Sequence, residues 1–169
     1  MIIMFLTNFE IIDICKFYKI KLNGVFMKDE LNFIKKDGNY VINLDNSYNN
    51  GTHWVALIVN GNDNFYFDSF GCIPPSEVEN FINNNKNTKI KYAYNNWICQ
   101  DLKSSNCGFF CIGLFMYLKK HNKNKDLYKT SNNFINIFYD ETLMNDTILQ
   151  LFFNNTTKIN NIVSKKLLL

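Results

Sequence analysis

Cys107 stands at the head of an apolar run, Phe109-Phe110-Cys111-Ile112-Gly113-Leu114-Phe115-Met116-Tyr117-Leu118, and Ser105 and Asn106 before it are helix-capping residue types. The pattern predicts a helix buried on nearly every side that starts at Ser105-Asn106, with Cys107 in its first turn. A cysteine so placed feels free backbone N–H groups and the positive end of the helix dipole. Beside a protonated histidine, cysteines of this kind ionise at roughly pH 3.5–7.5 rather than at about 8.5, and the thiolate is a nucleophile. The chemistry is nucleophilic attack by sulfur, and it needs a histidine from elsewhere in the chain.

Two histidines exist. His121 falls in the lysine-rich stretch 119–125 and is expected to be solvated, which leaves His53 as the candidate base. His53 lies in Thr52-His53-Trp54-Val55-Ala56-Leu57-Ile58-Val59, the strongest strand pattern in the sequence, and Asn64-Phe65-Tyr66-Phe67-Asp68 is the next strand. Asn60-Gly61-Asn62-Asp63 between them carries the Asn-Gly hairpin signal. With Asn60 and Gly61 at the centre of the turn, His53 lies directly opposite Asp68. A symmetric four-residue loop pairs Val55 with Asp68 and keeps His53 on the same face, one diagonal step away. A three-residue loop puts the two side chains on opposite faces. Two of the three simple registers thus bring imidazole and carboxylate within reach.

The elements that must hold these groups follow along the chain. Thr7-Asn8-Phe9-Glu10 reads as a capping box, with a first helix over 8–18. Gly24-Val25-Phe26 is extended, Lys28-Asp29-Glu30-Leu31 turn-like or briefly helical, and Tyr40-Val41-Ile42-Asn43-Leu44 a short strand. After Pro74-Pro75, a second capping box at Ser76 and Glu79 opens a helix through Ile82. Asn83 to Asn87 is a polar loop, Lys89 to Tyr94 alternates as a strand, and Asn95 to Asn106 is loop. Beyond a solvated link at 119–125, helices are predicted over 132–139 and 141–153, and a polar tail over 154–169. The order predicts an α+β fold in which a small, mostly antiparallel sheet packs on the central buried helix, as a single domain over 1–169.

Composition narrows the function classes. The 169 residues, 47% hydrophobic and 16% aromatic, suffice for a core without disulfides or metal. The formal charge of +3 comes from lysine alone. Without arginine, bidentate readout of phosphate or guanine is missing, and weak non-specific DNA association is the most that charge offers. Five irregularly spaced cysteines fit a reducing, intracellular setting better than a disulfide framework. Spanning a bilayer takes about 20 apolar residues, and Phe109 to Leu118 is half that, so no membrane association is expected. No metal site is expected, because Cys107 and Cys111 have no second pair at finger-like spacing. Cys111 reads as core packing, and Cys15, Cys72 and Cys99 as structural or incidental.

The order His53, Asp68, Gln100, Cys107 is the reverse of that in papain-type proteases. Together with Gly51-Thr52-His53-Trp54-Val55-Ala56-Leu57, Phe65-Tyr66-Phe67-Asp68-Ser69-Phe70-Gly71 and Cys107-Gly108-Phe109-Phe110-Cys111, it resembles the adenovirus-protease (adenain) and Ulp1-like cysteine peptidase group over about residues 20–120. The resemblance implies Cys107 as nucleophile, His53 as base and later acid, and Asp68 as its orienter. It further implies Gln100, with the Cys107 backbone N–H, as oxyanion hole, and Trp54 beside a narrow cleft that favours glycine before the scissile bond. Asp68 departs from the glutamate of adenoviral members and matches the Ulp1-like ones.

Three functions share these residues. The favoured expectation is a cysteine endopeptidase that processes capsid or other structural precursors during virion maturation, with a short chain and an AT-rich residue usage suited to a small DNA virus or virophage-like element. Such a protein would act as a monomer inside the host cell or viral factory and be packaged in the virion. The alternatives are a deconjugating peptidase for ubiquitin-like modifiers and an acetyl-CoA-dependent acetyltransferase. No cofactor is expected; adenoviral members use an activating peptide and DNA, and no counterpart of the peptide-linked cysteine stands at its expected place.

Overall fold

The Thr7 hydroxyl accepts from the Glu10 N–H (3.3 Å) and the Glu10 carboxylate accepts from the Thr7 N–H (2.6 Å), a reciprocal cap that starts α1 (Asn8–Phe17). The computed structural model describes residues 5–34, 36–61, 63–84, 91–122, 126–138 and 140–153. After α1 come β1 (Gly24–Met27), a 3₁₀ helix (Lys28–Phe33), β2 (Gly38–Asn43), β3 (Trp54–Val59) and β4 (Asp63–Phe67). Then follow α2 (Ser76–Asn84), β5 (Lys91–Tyr94), α3 (Cys107–His121), α4 (Leu127–Ile135), a 3₁₀ turn (Thr142–Met144) and α5 (Asn145–Gln150).

The five strands lie in chain order, β1-β2-β3-β4-β5. The inner pairs β2–β3 and β3–β4 are antiparallel, whereas β1–β2 and β4–β5 are parallel. The expected mostly antiparallel sheet is therefore correct only for its three central strands. The physical reason is connection: parallel neighbours need a crossover, and the 3₁₀ helix Lys28–Phe33 and α2 supply one at each edge.

Alternate residues of the central strands feed two cores. Val41, Ala56, Ile58, Phe65 and Phe67 pack with α1, α3, α4 and α5, while Tyr40, Ile42, Val55, Leu57 and Tyr66 pack with Leu31, Val78 and Ile82. With both faces covered, all six residues of β3 are buried, which is why it reads as an unbroken apolar run. Helix α3 is the expected buried centre, with Phe110, Cys111, Ile112 and Leu114 wholly inaccessible.

Three local readings need correction. The second capping box does not form: the Ser76 hydroxyl donates to Glu77 (3.1 Å), and the Pro75 carbonyl accepts from the Val78 and Glu79 N–H groups (both 3.0 Å). The helix starts at Ser76 itself, so Pro75 stands before it and Ser76 lies in the first turn, where its side chain cannot cap. The last helices are also placed differently. Asp126 accepts from the Lys129 N–H (3.0 Å) and starts α4 at Leu127, ahead of the expected start at 132, and 141–153 divides into the 3₁₀ turn and α5. Lys119 is not simply solvated either, since its Nζ donates to the carbonyls of Tyr18 (3.1 Å) and Lys19 (2.9 Å) at the end of α1. The predictions for Asn62, residues 85–90, 123–125 and the tail 154–169 lie outside the described residues.

Phe110 tests the two-layer reading of α3, because its ring is fully buried and packs on Phe138 at 5.2 Å between centroids. Phe110→Ala is expected to destabilise the fold by about 3–5 kcal/mol in urea unfolding. A loss below about 1 kcal/mol would contradict this packing.

Candidate active site

His53 precedes β3, and its position is set by extension of the β2–β3 ladder: its carbonyl accepts from the Leu44 N–H at 2.9 Å, one step beyond the Asn43–Trp54 pair. The intervening loop is gathered onto buried Asn43, whose Oδ1 accepts from the Asp45 and Thr52 N–H groups (both 3.0 Å). Gly51 closes that loop with φ +88°, and a β-carbon there would stand 2.8 Å from the Asn43 amide nitrogen.

The hairpin selects the diagonal register. Ala56 faces Phe67 and Leu57 faces Tyr66, and the turn closes with the Asp63 N–H on the Asn60 carbonyl (2.9 Å), so the next rung sets Val55 against Asp68. His53 Nε2 and Asp68 Oδ1 meet at 2.8 Å, with the side chains 14% and 1% exposed respectively. The imidazole also stacks on Phe70, at 4.8 Å and 27°.

Asp68 is itself clamped. Asn95 Oδ1 accepts from the Asp68 N–H (2.8 Å), and Asn95 Nδ2 donates to the carbonyls of Asp68 (2.6 Å) and Trp97 (3.0 Å). One buried amide thus replaces the sheet ladder where β4 and β5 end. The Phe70 N–H adds a bond to Asp68 Oδ1 (2.8 Å), and the Gly71 N–H one to the Asp68 carbonyl (2.9 Å). Gly71 has φ +68°, and a β-carbon would meet the Trp97 carbonyl at 2.9 Å, so only glycine fits that turn. Sequence reasoning missed Asn95; its one signal was a polar amide directly after a strand.

Cys107 is the first residue of α3. The expected cap is not made: Asn106 occupies the N-cap position without a side-chain bond, and the buried Ser105 Oγ and Asn106 Oδ1 have no hydrogen-bond partner among the described residues. The Asn106 backbone is not in the extended conformation that aims a capping side chain at the first turn (φ −89°, ψ 14°). Gly108 lets the helix tip sit against Leu6 and Trp54, at 3.1 and 3.4 Å from where a β-carbon would be. Trp54 is largely a wall, 8% exposed with its indole N–H on the Leu6 carbonyl (2.7 Å); its rim borders a groove of ≈ 600 Å³ with Leu6, Val25, Met27 and Thr52.

The Cys107 thiol also acts on the His53 ring. Since Nε2 is taken by Asp68, Nδ1 is the nitrogen left for the thiol. Burial is the largest influence on His53 and acts to lower its pKa, but hydrogen bonds with Asp68 and Cys107 and the attraction of their charges outweigh it. The net effect raises His53 from the ordinary 6.5 to about 9. Gln100, 1% exposed, completes the group: its Oε1 accepts from the Ser69 hydroxyl (2.6 Å), and its Nε2 donates to the Ser104 carbonyl (2.8 Å).

The remaining thiols are differently placed. Cys111 is wholly buried and donates to the Trp54 carbonyl (3.5 Å); burial first, then the nearby Cys107, pushes its pKa well up. Burial also pushes Cys15 and Cys99 up to about 12, while Cys72 is exposed.

No protein-family model matches the chain, and no curated protein does. Among solved structures, a deletion variant of AvrA with IP6 and CoA superposes with a TM-score of 0.53 at 18% identity, over 74% of this chain and 53% of that one. The chain thus spans about half the length of AvrA, and the two share a Ulp1-like α+β fold. The central domain of the Legionella pneumophila protein Lpg1148 gives a TM-score of 0.47 at 13% identity, over 94% of this chain and 97% of that one.

Because the folded pKa of His53 lies above its unfolded value, the imidazolium contributes stability that is complete below pH 6.5 and lost as pH rises through about 9. Asp68→Asn is expected to lower the His53 pKa in an NMR titration. It should also remove most of the wild-type stability decline between pH 6.5 and 9. An unchanged titration in the variant would break the link between the two residues.

Proposed function

We propose that the chain is a cysteine peptidase, with Cys107 as nucleophile, His53 as proton carrier, Asp68 as orienter, and Gln100 with the Cys107 N–H as oxyanion donors. The observation that carries this reading is the imidazole bonded to a buried carboxylate at 2.8 Å, with the Cys107 thiol at the tip of α3 also acting on that ring. The Cys107 sulfur attacks the substrate carbonyl, and the developing oxyanion is met by N–H groups that need no reorganisation. His53, kept charged by its partners, gives its proton to the leaving amine as the C–N bond breaks to a thioester. Water, deprotonated by His53, then attacks the thioester, and the C–S bond breaks to release the acid and free the Cys107 sulfur, with the proton back on His53.

The groove that begins at Trp54 is the proposed path of an extended peptide, with glycine before the scissile bond. A capsid or other structural precursor is the proposed substrate and a ubiquitin-like precursor the alternative; this part of the proposal rests on the sequence resemblance. A second reading is favoured by the CoA in the AvrA structure: the same thiol would take an acetyl group from acetyl-CoA and pass it to an acceptor amine.

The test is incubation with candidate capsid precursors, a ubiquitin-like precursor and labelled acetyl-CoA, with mass spectrometry of new N-termini and acetylated residues. New ends after glycine are expected, absent in Cys107→Ala and His53→Ala and kept within a few-fold in Cys111→Ala. Label transfer without cleavage selects the acetyltransferase, and equal loss in all three variants refutes Cys107 as nucleophile.

A further inference from the structure

We propose that Ser69 is a positioning residue for the oxyanion donor: its hydroxyl fixes the Gln100 amide so that Nε2 presents an N–H to the bond under attack. The inference rests on the peptidase reading of Cys107 and Gln100. The terminal torsion of a glutamine has a broad, roughly two-fold preference, so the side chain does not choose its own orientation. Its neighbours choose it. The Ser104 carbonyl, 2.8 Å away, only accepts, so the amide atom facing it is nitrogen. Oxygen must then face Ser69, and at 2.6 Å the hydroxyl donates to it. Nε2 carries two hydrogens, and the second has no partner among the described residues.

The main chain reinforces this placement. The Ser69 carbonyl accepts from the N–H groups of both Cys99 (2.8 Å) and Gln100 (2.9 Å), so Ser69 holds Gln100 by backbone and side chain together. Both side chains are 1% exposed, which keeps water from substituting for the hydroxyl. Ser69 directly follows Asp68. Two consecutive residues therefore orient the two halves of the chemistry, Asp68 the imidazole that moves protons and Ser69 the amide that receives the oxyanion.

A double-mutant cycle on Ser69 and Gln100 tests this, read with a peptide that carries glycine before an aminocoumarin leaving group. Loss of one oxyanion donor lowers kcat by about 10²–10³, so Gln100→Ala is expected in that range and Ser69→Ala at about 10-fold or more, with KM within about 2-fold. Ser69→Ala added to Gln100→Ala is expected to change kcat by less than about 2-fold, since a positioning residue has nothing left to position. Alkylation of Cys107 by iodoacetamide forms no oxyanion and should keep its wild-type rate in Ser69→Ala. Wild-type kcat in Ser69→Ala, or an equal further loss in the Gln100→Ala background, would overturn the proposal. So would slowed alkylation, which marks a general structural role. A wild-type protein that is alkylated at Cys107 yet cleaves no peptide refutes the peptidase reading itself, and Ser69's role with it.

Discussion

A carboxylate with 1% of its side chain exposed must be compensated by its neighbours, and the 2.8 Å bond from His53 to Asp68 is the interaction on which the proposed chemistry depends. Removing one member of a buried charged pair leaves the other uncompensated, so the pair behaves as a unit. Much of the surrounding structure serves to deliver it. The diagonal β3–β4 register brings the two residues to one face, Asn43 gathers the loop before His53, and Asn95 holds the main chain of Asp68 where the ladder ends.

The proposed nucleophile, Cys107, reaches this pair from a different element. Helix α3 is locked by burial along most of its length, so the position of its tip is set by the core that it shares with the sheet. At that tip Asn106 makes no side-chain cap, so its side chain takes up none of the first-turn N–H groups beside Cys107. Ser105 Oγ and Asn106 Oδ1, unpartnered among the described residues, lie in sequence directly before Cys107, and buried polar groups left so are costly. Cys111, one turn deeper, shows the contrast. It has the same chemistry, but burial suppresses its ionisation.

The parts of this arrangement legible in the sequence were those with local causes. The α1 cap, the strand patterns around His53 and Asp68 and the buried character of α3 each follow from periodicity or from one short motif. The hairpin register was narrowed to alternatives and no further, because Asn60, Gly61 and Asn62 suit more than one turn centre and only packing on both faces decides. Asn95 and Ser69 were invisible as positioning groups. Serine and asparagine are common in loops, and their partners lie 27 and 31 residues away in the chain. The parallel edges were missed for the same reason, since a crossover's direction is a property of the assembled sheet.

The most direct measurement is a crystal structure of the protein treated with a peptide aldehyde ending in glycine, which forms a reversible hemithioacetal with a nucleophilic cysteine. The expected result is a carbon–sulfur bond at Cys107, with the former aldehyde oxygen within hydrogen-bond distance of Gln100 Nε2 and the Cys107 N–H, and His53 still on Asp68. An adduct on another cysteine, or an oxygen turned away from both donors, would contradict the assignment.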